Sequence, residues 1–174
     1  MLYYLLLGGN MGDVDESMRA AVRSLAIVGR VESVSSVVES PPWGFEADSP
    51  FHNAVVALAS ELDPHGLLSY VKNIEKRLGR APKSPGVRYE SRPLDIDILF
   101  ADGLVIDTES LTVPHPRLHL RRFTLVPLAE LAADFVHPTL GKTVGELLSE
   151  CADEAEVKVV GRLFPQAGAD DVSH

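Results

Sequence analysis

The hydrophobic pattern of the first third of the chain predicts a strand followed by an amphipathic helix. Five consecutive apolar residues, Tyr3 to Leu7, end at a glycine pair and predict a buried strand. Asp13 stands where a helix N-cap is expected, because apolar side chains recur at helical spacing after it. The predicted apolar stripe of that helix is Met18, Ala21, Val22, Leu25 and Ala26.

The following segments have the patterns of further strands and a second helix, and their order predicts the fold. Val31–Val38 and Asn53–Leu62 have the pattern of strands, and Leu94–Phe100 is a further apolar run of strand length. A helix is expected over Pro64–Leu78, with proline at its first position and a glycine after its last. The order strand, helix, strand, strand, helix, strand predicts a ferredoxin-like split βαβ fold of the α+β class. In that fold, helices cover one face of an antiparallel sheet.

The last third of the chain predicts two C-terminal helices, over Phe123–Ala133 and Val144–Ser149, and an edge strand over Glu156–Val160. The length of 174 residues suits one domain. We expect this single domain to cover residues 1–160 and residues 161–174 to form a flexible tail.

Composition and charge exclude several classes of protein. Apolar residues make up 45% of the chain and charged residues 24%, which is typical of a globular protein rather than a disordered one. Cys151 is the sole cysteine, so a disulfide framework is excluded and a reducing compartment, the cytoplasm, is expected. No stretch approaches the ~20 apolar residues of a membrane span. The net charge of −9 disfavours a nucleic-acid partner.

The basic residues are nevertheless concentrated in two segments. Lys72–Arg92 holds seven basic residues against two acidic ones, and His115–Arg122 holds three arginines, two histidines and no acidic residue. Two cationic segments in an acidic protein indicate a local anion site. For the helical part, Lys72–Arg77, a solvated helix face is the simpler interpretation. The glycine- and proline-rich stretch after it is better explained as a functional loop.

A pair of carboxylates, Asp95 and Asp97, lies in an otherwise apolar strand. Side chains alternate along a strand, so these two share one face while Ile96 and Ile98 share the other. Two like charges side by side are unfavourable unless a cation neutralises them, and carboxylates are preferred Mg²⁺ ligands. An edge strand whose aspartates face water is the alternative. The arginines just upstream, over 88–92, favour the metal site.

Aspartates together with loop arginines are typical of phosphoryl transfer, in which Mg²⁺ and guanidinium groups neutralise phosphate charge. The sequences of a P-loop, a dinucleotide-binding loop and a nucleophile elbow are all absent. His115 and His119 lie four residues apart without an H-E-x-x-H pattern, which argues against a zinc site.

A second set of residues suits a flat heteroaromatic ligand. Such a ligand takes aromatic rings above and below it and an amide at its edge. Phe51, Phe123 and Asn53 could supply these groups if the fold brings them together. Each phenylalanine taken alone fits the core equally well.

Several segments in order resemble the 6-hydroxymethyl-7,8-dihydropterin pyrophosphokinases of folate biosynthesis, over roughly residues 5 to 150. The combination of R-x-x-D-[LI]-D-[IL] with P-H-P-R is the most specific part of the resemblance. The matching segments are Leu7–Asp13, Ser40–Gly44, Phe51–Val56, Ile74–Arg80, Ser91–Leu99 and Val113–His119.

The resemblance implies transfer of the pyrophosphoryl group of ATP to the hydroxymethyl group of the pterin, with release of AMP. It also implies two Mg²⁺ ions and, carried over by position, a set of site residues. Catalytic residues would be Arg80, Arg92, Asp95 and Asp97, with the two aspartates as metal ligands. ATP-binding residues would be Leu68, Glu75, Arg88, Arg92, Ile98, Thr112, His115 and Arg121. Pterin-binding residues would be Ser40, Pro41, Trp43, Phe51, Asn53, Tyr89 and Phe123.

Two other functions are compatible with the predicted fold. A regulatory domain could bind a nucleotide in the same groove without turnover, but it would not need a two-metal carboxylate pair. A single-stranded RNA-binding sheet would need exposed aromatic residues and a basic face, whereas this chain has 6% aromatic residues and a net charge of −9. The expected partners are therefore ATP and the pterin, with no nucleic acid and no membrane, and we expect a monomer.

Overall fold

An antiparallel sheet organises the part of the chain that the computed structural model describes, residues 1–41, 49–79 and 94–165. The strands are β1 (Leu2–Gly9), β2 (Gly29–Val34), β3 (Ser36–Ser40), β4 (Phe51–Ser60), β5 (Asp95–Ala101), β6 (Ile106–Asp107), β7 (Thr112–Val113) and β8 (Lys158–Arg162). The α-helices are α1 (Val14–Val28), α2 (Pro64–Leu78), α3 (Arg122–Ala132) and α4 (Val144–Glu150). A short 3-10 helix, Leu118–Leu120, precedes α3.

The topology confirms the ferredoxin-like prediction. The main sheet has the order β5-β1-β4-β3-β8, and β2 pairs with the other half of β4, beside β3. The pairs β1–β4, β1–β5, β2–β4 and β3–β4 are all antiparallel. Strands β6 and β7 form a separate two-stranded ribbon.

Polar side chains start the first two helices where the sequence predicts. The carboxylate of Asp13 accepts the Glu16 N–H at 3.1 Å. The carboxylate of Asp63 likewise accepts the Gly66 N–H at 2.9 Å, and Pro64 occupies the first helical position. Both caps satisfy backbone donors that a helix leaves unpaired at its N-terminus.

Helices cover both faces of the sheet, and each face has its own core. On one face α1 and α2 pack on the sheet through residues such as Met18, Leu25 and Ile74, all fully buried. On the opposite face the C-terminal helices α3 and α4 pack through residues such as Leu125 and Leu147. The two cores arise because side chains alternate along the strands, so each face of the sheet contributes residues to a different core.

The structure corrects two details of the sequence prediction. The strand predicted over Val31–Val38 is divided into β2 and β3 at Ser35, whose N–H donates to the Val55 carbonyl and whose Oγ accepts the Val55 N–H. Ala26 is exposed, not part of the α1 stripe. At 3.6 residues per turn it lies roughly 80° around the helix from Met18, outside the buried face.

The C-terminal strand lies at the edge of the sheet, as predicted, but is shifted along the chain. It pairs with β3 and extends to Arg162, and the next residue, Leu163, is 2% exposed in the α1–α2 core. Residues 161–163 therefore belong to the folded part of the chain rather than to the expected tail. Residues 166–174 lie outside the described residues.

Among the helices in the described ranges, none combines the length and the apolar character needed to cross a lipid bilayer.

Candidate active site

A cavity of about 750 Å³ opens on the α3–α4 face of the sheet. Its floor is formed by β1, β4 and β5, and its wall by the 3-10 helix, the first turn of α3 and the segment after α4. The lining residues are Leu6, Gly8, Gly9, Ser40, Phe51, Asn53, Asp95, Asp97, Arg117, Leu120, Arg121, Phe123, Ala152 and Asp153. The volume lies in the range of small-molecule binding sites.

The strand register places the polar floor residues in one row. Gly8 in β1 pairs with Asn53 in β4 on one side and with Asp95 in β5 on the other. Directly paired residues share a face, so Asn53 and Asp95 flank Gly8 at a separation of about 10 Å across two strand spacings. A Cβ at Gly8 would overlap the Asn53 amide oxygen. The glycine therefore leaves room for the Asn53 side chain and opens the floor between the two polar groups.

The carboxylates of Asp95 and Asp97 both line the cavity. Ile96 and Ile98 are each 4% exposed in the opposite core, which confirms the predicted alternation of β5. Asp97 is half-buried, and within the described residues its carboxylate has no hydrogen-bond partner. Two adjacent hard oxygen donors at an open cavity fit a divalent cation. In the described part of the chain, no group of three His, Cys, Asp or Glu side chains forms a complete metal site.

Two arginines form a cationic wall of the cavity. Arg117 and Arg121 both line it, and the Arg121 guanidinium carbon lies 5.6 Å from the centre of the Phe123 ring. A guanidinium over an aromatic face is favourable, so the two side chains support each other's positions. The wall thus offers positive charge and an aromatic surface next to the carboxylates.

His115 interacts electrostatically with Asp97, Arg117 and Arg121 but is not among the residues that line the cavity. Its backbone N–H donates to the Leu99 carbonyl at 3.0 Å, and its Nδ1 accepts the Arg117 N–H at 3.2 Å. Burial lowers the pKa of His115, and the charges of Arg121 and Arg117 lower it further, against the opposing effect of Asp97. The imidazole is therefore neutral at neutral pH. With Nδ1 accepting, Nε2 carries the proton and can donate.

The cavity also has an aromatic and amide lining. Phe51, Asn53, Phe123 and Ser40, which are four of the residues predicted to bind the pterin, meet there. Asn53 is 5% exposed, and its buried amide nitrogen has no hydrogen-bond partner among the described residues. Leaving such a donor unpaired costs about 1–3 kcal/mol, so it points to a ligand acceptor. Pro41, at the end of β3, is exposed and does not line the cavity.

The residues predicted to hold the adenosine lie apart from the cavity. Leu68 and Glu75 belong to α2, Ile98 to β5 and Thr112 to β7, and none of the four lines the cavity. Glu75 is 7% exposed, and its carboxylate accepts the Ile96 N–H at 2.7 Å, which ties α2 to β5. These four assignments stay predictions.

Five predicted site residues fall outside the described residues: Trp43, Arg80, Arg88, Tyr89 and Arg92. In turn, the structure adds lining residues that sequence reasoning missed. Arg117 belongs to the P-H-P-R segment and could have been found there. Asp153 had no sequence signal, because tertiary packing alone brings the segment after α4 to the cavity.

A ferredoxin-like sheet with paired carboxylates and guanidinium groups at one cavity fits a transferase that acts on phosphorylated substrates. Residues 4–133 match the family 7,8-dihydro-6-hydroxymethylpterin-pyrophosphokinase (HPPK). The chain belongs to this family and is an enzyme of the transferase class.

Curated relatives agree with this assignment. The 2-amino-4-hydroxy-6-hydroxymethyldihydropteridine pyrophosphokinase of Porphyromonas gingivalis is 43% identical over 139 residues, covering 79% of this chain and 94% of the relative. The protein of the same name from Methylorubrum extorquens is 42% identical over 149 residues, covering 84% and 91%.

The fold is similar to that of wild-type Plasmodium falciparum HPPK-DHPS, crystallised with pteroate. The TM-score is 0.68 at 15% identity, over 86% of this chain. This chain spans 44% of the length of that solved chain. At 15% identity this likeness shows the fold alone.

Proposed function

We propose that the cavity on the α3–α4 face is the site at which the chain transfers the pyrophosphoryl group of ATP to 6-hydroxymethyl-7,8-dihydropterin, in folate biosynthesis. The hydroxymethyl oxygen attacks the β-phosphorus of ATP. The bond from that phosphorus to the oxygen bridging the α-phosphorus breaks, AMP leaves, and the hydroxyl proton passes to solvent. The observation that carries this proposal is one cavity lined by the paired carboxylates of β5, two guanidinium groups, two phenylalanine rings and an amide donor that has no partner among the described residues.

The pterin would lie on the floor of the cavity, between β4 and β5. Asn53 would hydrogen-bond its polar edge, with Phe51 and Phe123 packing against the ring. Ser40 would contact the same edge, with Pro41, Trp43 and Tyr89 as further contacts implied by the family. Because Gly8 separates Asn53 from Asp95, a ring held at Asn53 directs its substituent toward the carboxylates.

Asp95 and Asp97 would hold two Mg²⁺ ions, in line with their shared face and with the Asp97 carboxylate, which has no hydrogen-bond partner among the described residues. Bound there, the ions would supply charge neutralisation for the polyphosphate. Arg121 would bind the polyphosphate from the opposite wall, and His115 would donate from Nε2 to an ATP oxygen or nitrogen. Catalysis would then consist mainly of alignment and electrostatic stabilisation.

The remaining assignments come from the family. Arg80 and Arg92 would bind and stabilise the transferred group, and Arg88 would add a further cationic contact. The adenosine would be held by Leu68, Glu75, Ile98 and Thr112. We further propose that the enzyme is a cytoplasmic monomer whose partners are its two substrates.

The alternative of a nucleotide-binding regulatory domain without turnover is not supported, because the curated relatives that cover most of this chain are named as enzymes. An RNA-binding sheet is also disfavoured. Of the two phenylalanines that line the cavity, Phe123 belongs to α3 and not to the sheet.

The direct test is ³¹P NMR of the purified protein with ATP, Mg²⁺ and 6-hydroxymethyl-7,8-dihydropterin. We expect AMP together with a pterin diphosphate. ADP as the nucleotide product would contradict the proposal, since it would mean transfer of a single phosphoryl group. ATP binding without turnover would instead favour the regulatory domain.

The variant Asp97→Asn tests the role of the carboxylate pair, because it keeps the shape of the side chain and removes its charge. We expect turnover to fall by at least about 10³-fold, with an unchanged melting temperature. Asp107→Asn is the matched control, since Asp107 is an exposed strand aspartate away from the cavity. Turnover of Asp97→Asn within threefold of the wild type would disprove the metal assignment.

A further inference from the structure

The first turn of α3 is held by a residue from outside the helix. Arg121 occupies the N-cap position of α3, and its side chain makes no capping hydrogen bond. The Arg122 N–H instead donates to the Asp153 carboxylate at 3.0 Å, from a segment 31 residues further along the chain. A carboxylate at this position satisfies a backbone donor and interacts favourably with the helix dipole.

Asp153 is itself fixed in place. Its second carboxylate oxygen accepts the Ala155 N–H at 3.0 Å, so both oxygens have a defined orientation. The preceding residues follow directly from α4, whose capping box at Thr143 and Glu146 anchors that helix. The Cys151 N–H bonds to the Leu148 carbonyl, and Cys151 packs against the α3–α4 core. These hydrogen bonds therefore fix the position of the Asp153 carboxylate.

The residues on either side of Arg122 are the two that the proposed reaction needs from α3. Arg121 and Phe123 both line the cavity, and so does Asp153. The remainder of the helix is held independently of this contact. Leu125 and Leu128 are fully buried, and near the other end Glu130 accepts the Ser36 N–H at 2.9 Å.

We propose that Asp153 is a positioning residue of the active site, which orients Arg121 and Phe123 toward the substrates by holding the first turn of α3. The proposal rests on the proposed function. It brings the segment after α4 into the active site, although the family match ends at residue 133. Because the rest of α3 has its own contacts, loss of the carboxylate loosens the first turn and leaves the fold intact.

The test compares Asp153→Ala and Asp153→Asn with the wild-type enzyme. Steady-state kinetics give kcat and the KM for each substrate, and amide hydrogen exchange reports the protection of the Arg122 N–H. We expect Asp153→Ala to raise the KM for the pterin on the order of tenfold, since small misplacements of binding groups have large effects. The Arg122 N–H should exchange faster, while the Leu128 N–H stays protected.

Asp153→Asn retains one acceptor oxygen and should give an intermediate effect on both readouts. Glu130→Gln is the matched control, because it weakens a carboxylate contact of α3 far from the cavity. It should lower the melting temperature and leave both KM values within twofold. If Asp153→Ala does not fold, the Asp153→Asn comparison decides.

An unchanged pterin KM in a folded Asp153 variant would overturn the proposal, and so would unchanged protection of the Arg122 N–H. A rise in KM of the same size in Glu130→Gln would show a general effect of loosening α3 and would also overturn it. The exchange readout does not depend on turnover. A wild-type enzyme that makes no pterin diphosphate therefore contradicts the proposed function, separately from the contact at Asp153.

Discussion

At the scale of single residues, Gly8 is the position where backbone and site are most closely coupled. Its lack of a side chain leaves room for the Asn53 amide beside β1, on the other side of Gly8 from Asp95. In Gly8→Ala the new Cβ would displace that amide. We expect the KM for the pterin to rise on the order of tenfold, with a smaller effect on the KM for ATP. The overpacking should also cost about 1–3 kcal/mol of unfolding free energy.

The control for this prediction is Gly103→Ala, because a Cβ at Gly103 meets no atom within 4 Å. Substrate kinetics and urea unfolding of the two variants separate the specific effect from the general one. Equal KM values for the pterin in both variants would contradict the role assigned to Asn53. A larger change in the KM for ATP than for the pterin would place the nucleotide, rather than the pterin, at Asn53.

At the scale of elements, His52 joins three of them on the face opposite the cavity. Its Nδ1 lies 2.7 Å from an Asp15 oxygen in α1, and its Nε2 lies 3.1 Å from a Glu39 oxygen in β3. Burial by itself lowers the pKa of His52, but the hydrogen bonds and charges of Asp15 and Glu39 outweigh it. The pKa is therefore raised above its ordinary value of 6.5.

The stability that His52 contributes should depend on pH. Because the pKa of His52 is raised in the folded state, the protonated imidazole stabilises the protein fully below pH 6.5. This contribution is lost as the pH rises through the folded-state pKa. We expect His52→Gln to reduce the unfolding free energy by about 1 kcal/mol at pH 6 and by much less at pH 9. Urea unfolding at the two pH values measures the difference.

His65→Gln serves as the comparison, since His65 is exposed and contacts only the Thr108 hydroxyl within the described residues. Its substitution removes a partly comparable imidazole that has no carboxylate partner among the described residues, so it should have only a small effect on the unfolding free energy. A deficit of His52→Gln that stays constant or grows toward pH 9 would mean that the imidazole acts through packing rather than through its charge.

The elements themselves could largely be predicted from the sequence, because their signals are local. The cap at Asp13, the proline at Pro64 and the alternation of Asp95 and Asp97 all appear in the structure. The break at Ser35 could not be predicted. It depends on hydrogen bonds to Val55, which is 20 residues away in sequence.

Residues of the site could be predicted from the sequence only where they belong to a recognisable motif. Phe51, Asn53 and Phe123 do meet in one cavity, but spacing alone could not place them on the same side of the sheet. Asp153 reaches the cavity through the packing of α4, which has no counterpart in a short motif. Contacts between distant segments are set by the tertiary fold, so the wall of the cavity was less predictable than its floor.

At the scale of the whole molecule, the sheet separates the face that carries the cavity from a face with its own core, on which α1 packs. The residues of α1 face the first core, away from the cavity, whereas α3 contributes both core residues and cavity residues. Destabilisation of the two faces should therefore have different consequences for activity, even where the loss of packing is the same.

Leu25→Ala in α1 and Leu125→Ala in α3 test this division, because both leucines are fully buried. Each variant should lose about 2–5 kcal/mol of unfolding free energy, as expected for a leucine removed from a core. Leu125 lies one helical turn after Arg121. The space left by removing its side chain in Leu125→Ala would let the first turn of α3 shift. We expect Leu125→Ala to raise the KM for the pterin several-fold and Leu25→Ala to leave it within twofold, both measured well below the melting temperatures.

Similar increases in KM in both variants would mean that the sheet transmits packing changes from one face to the other, and the two faces would then not be independent.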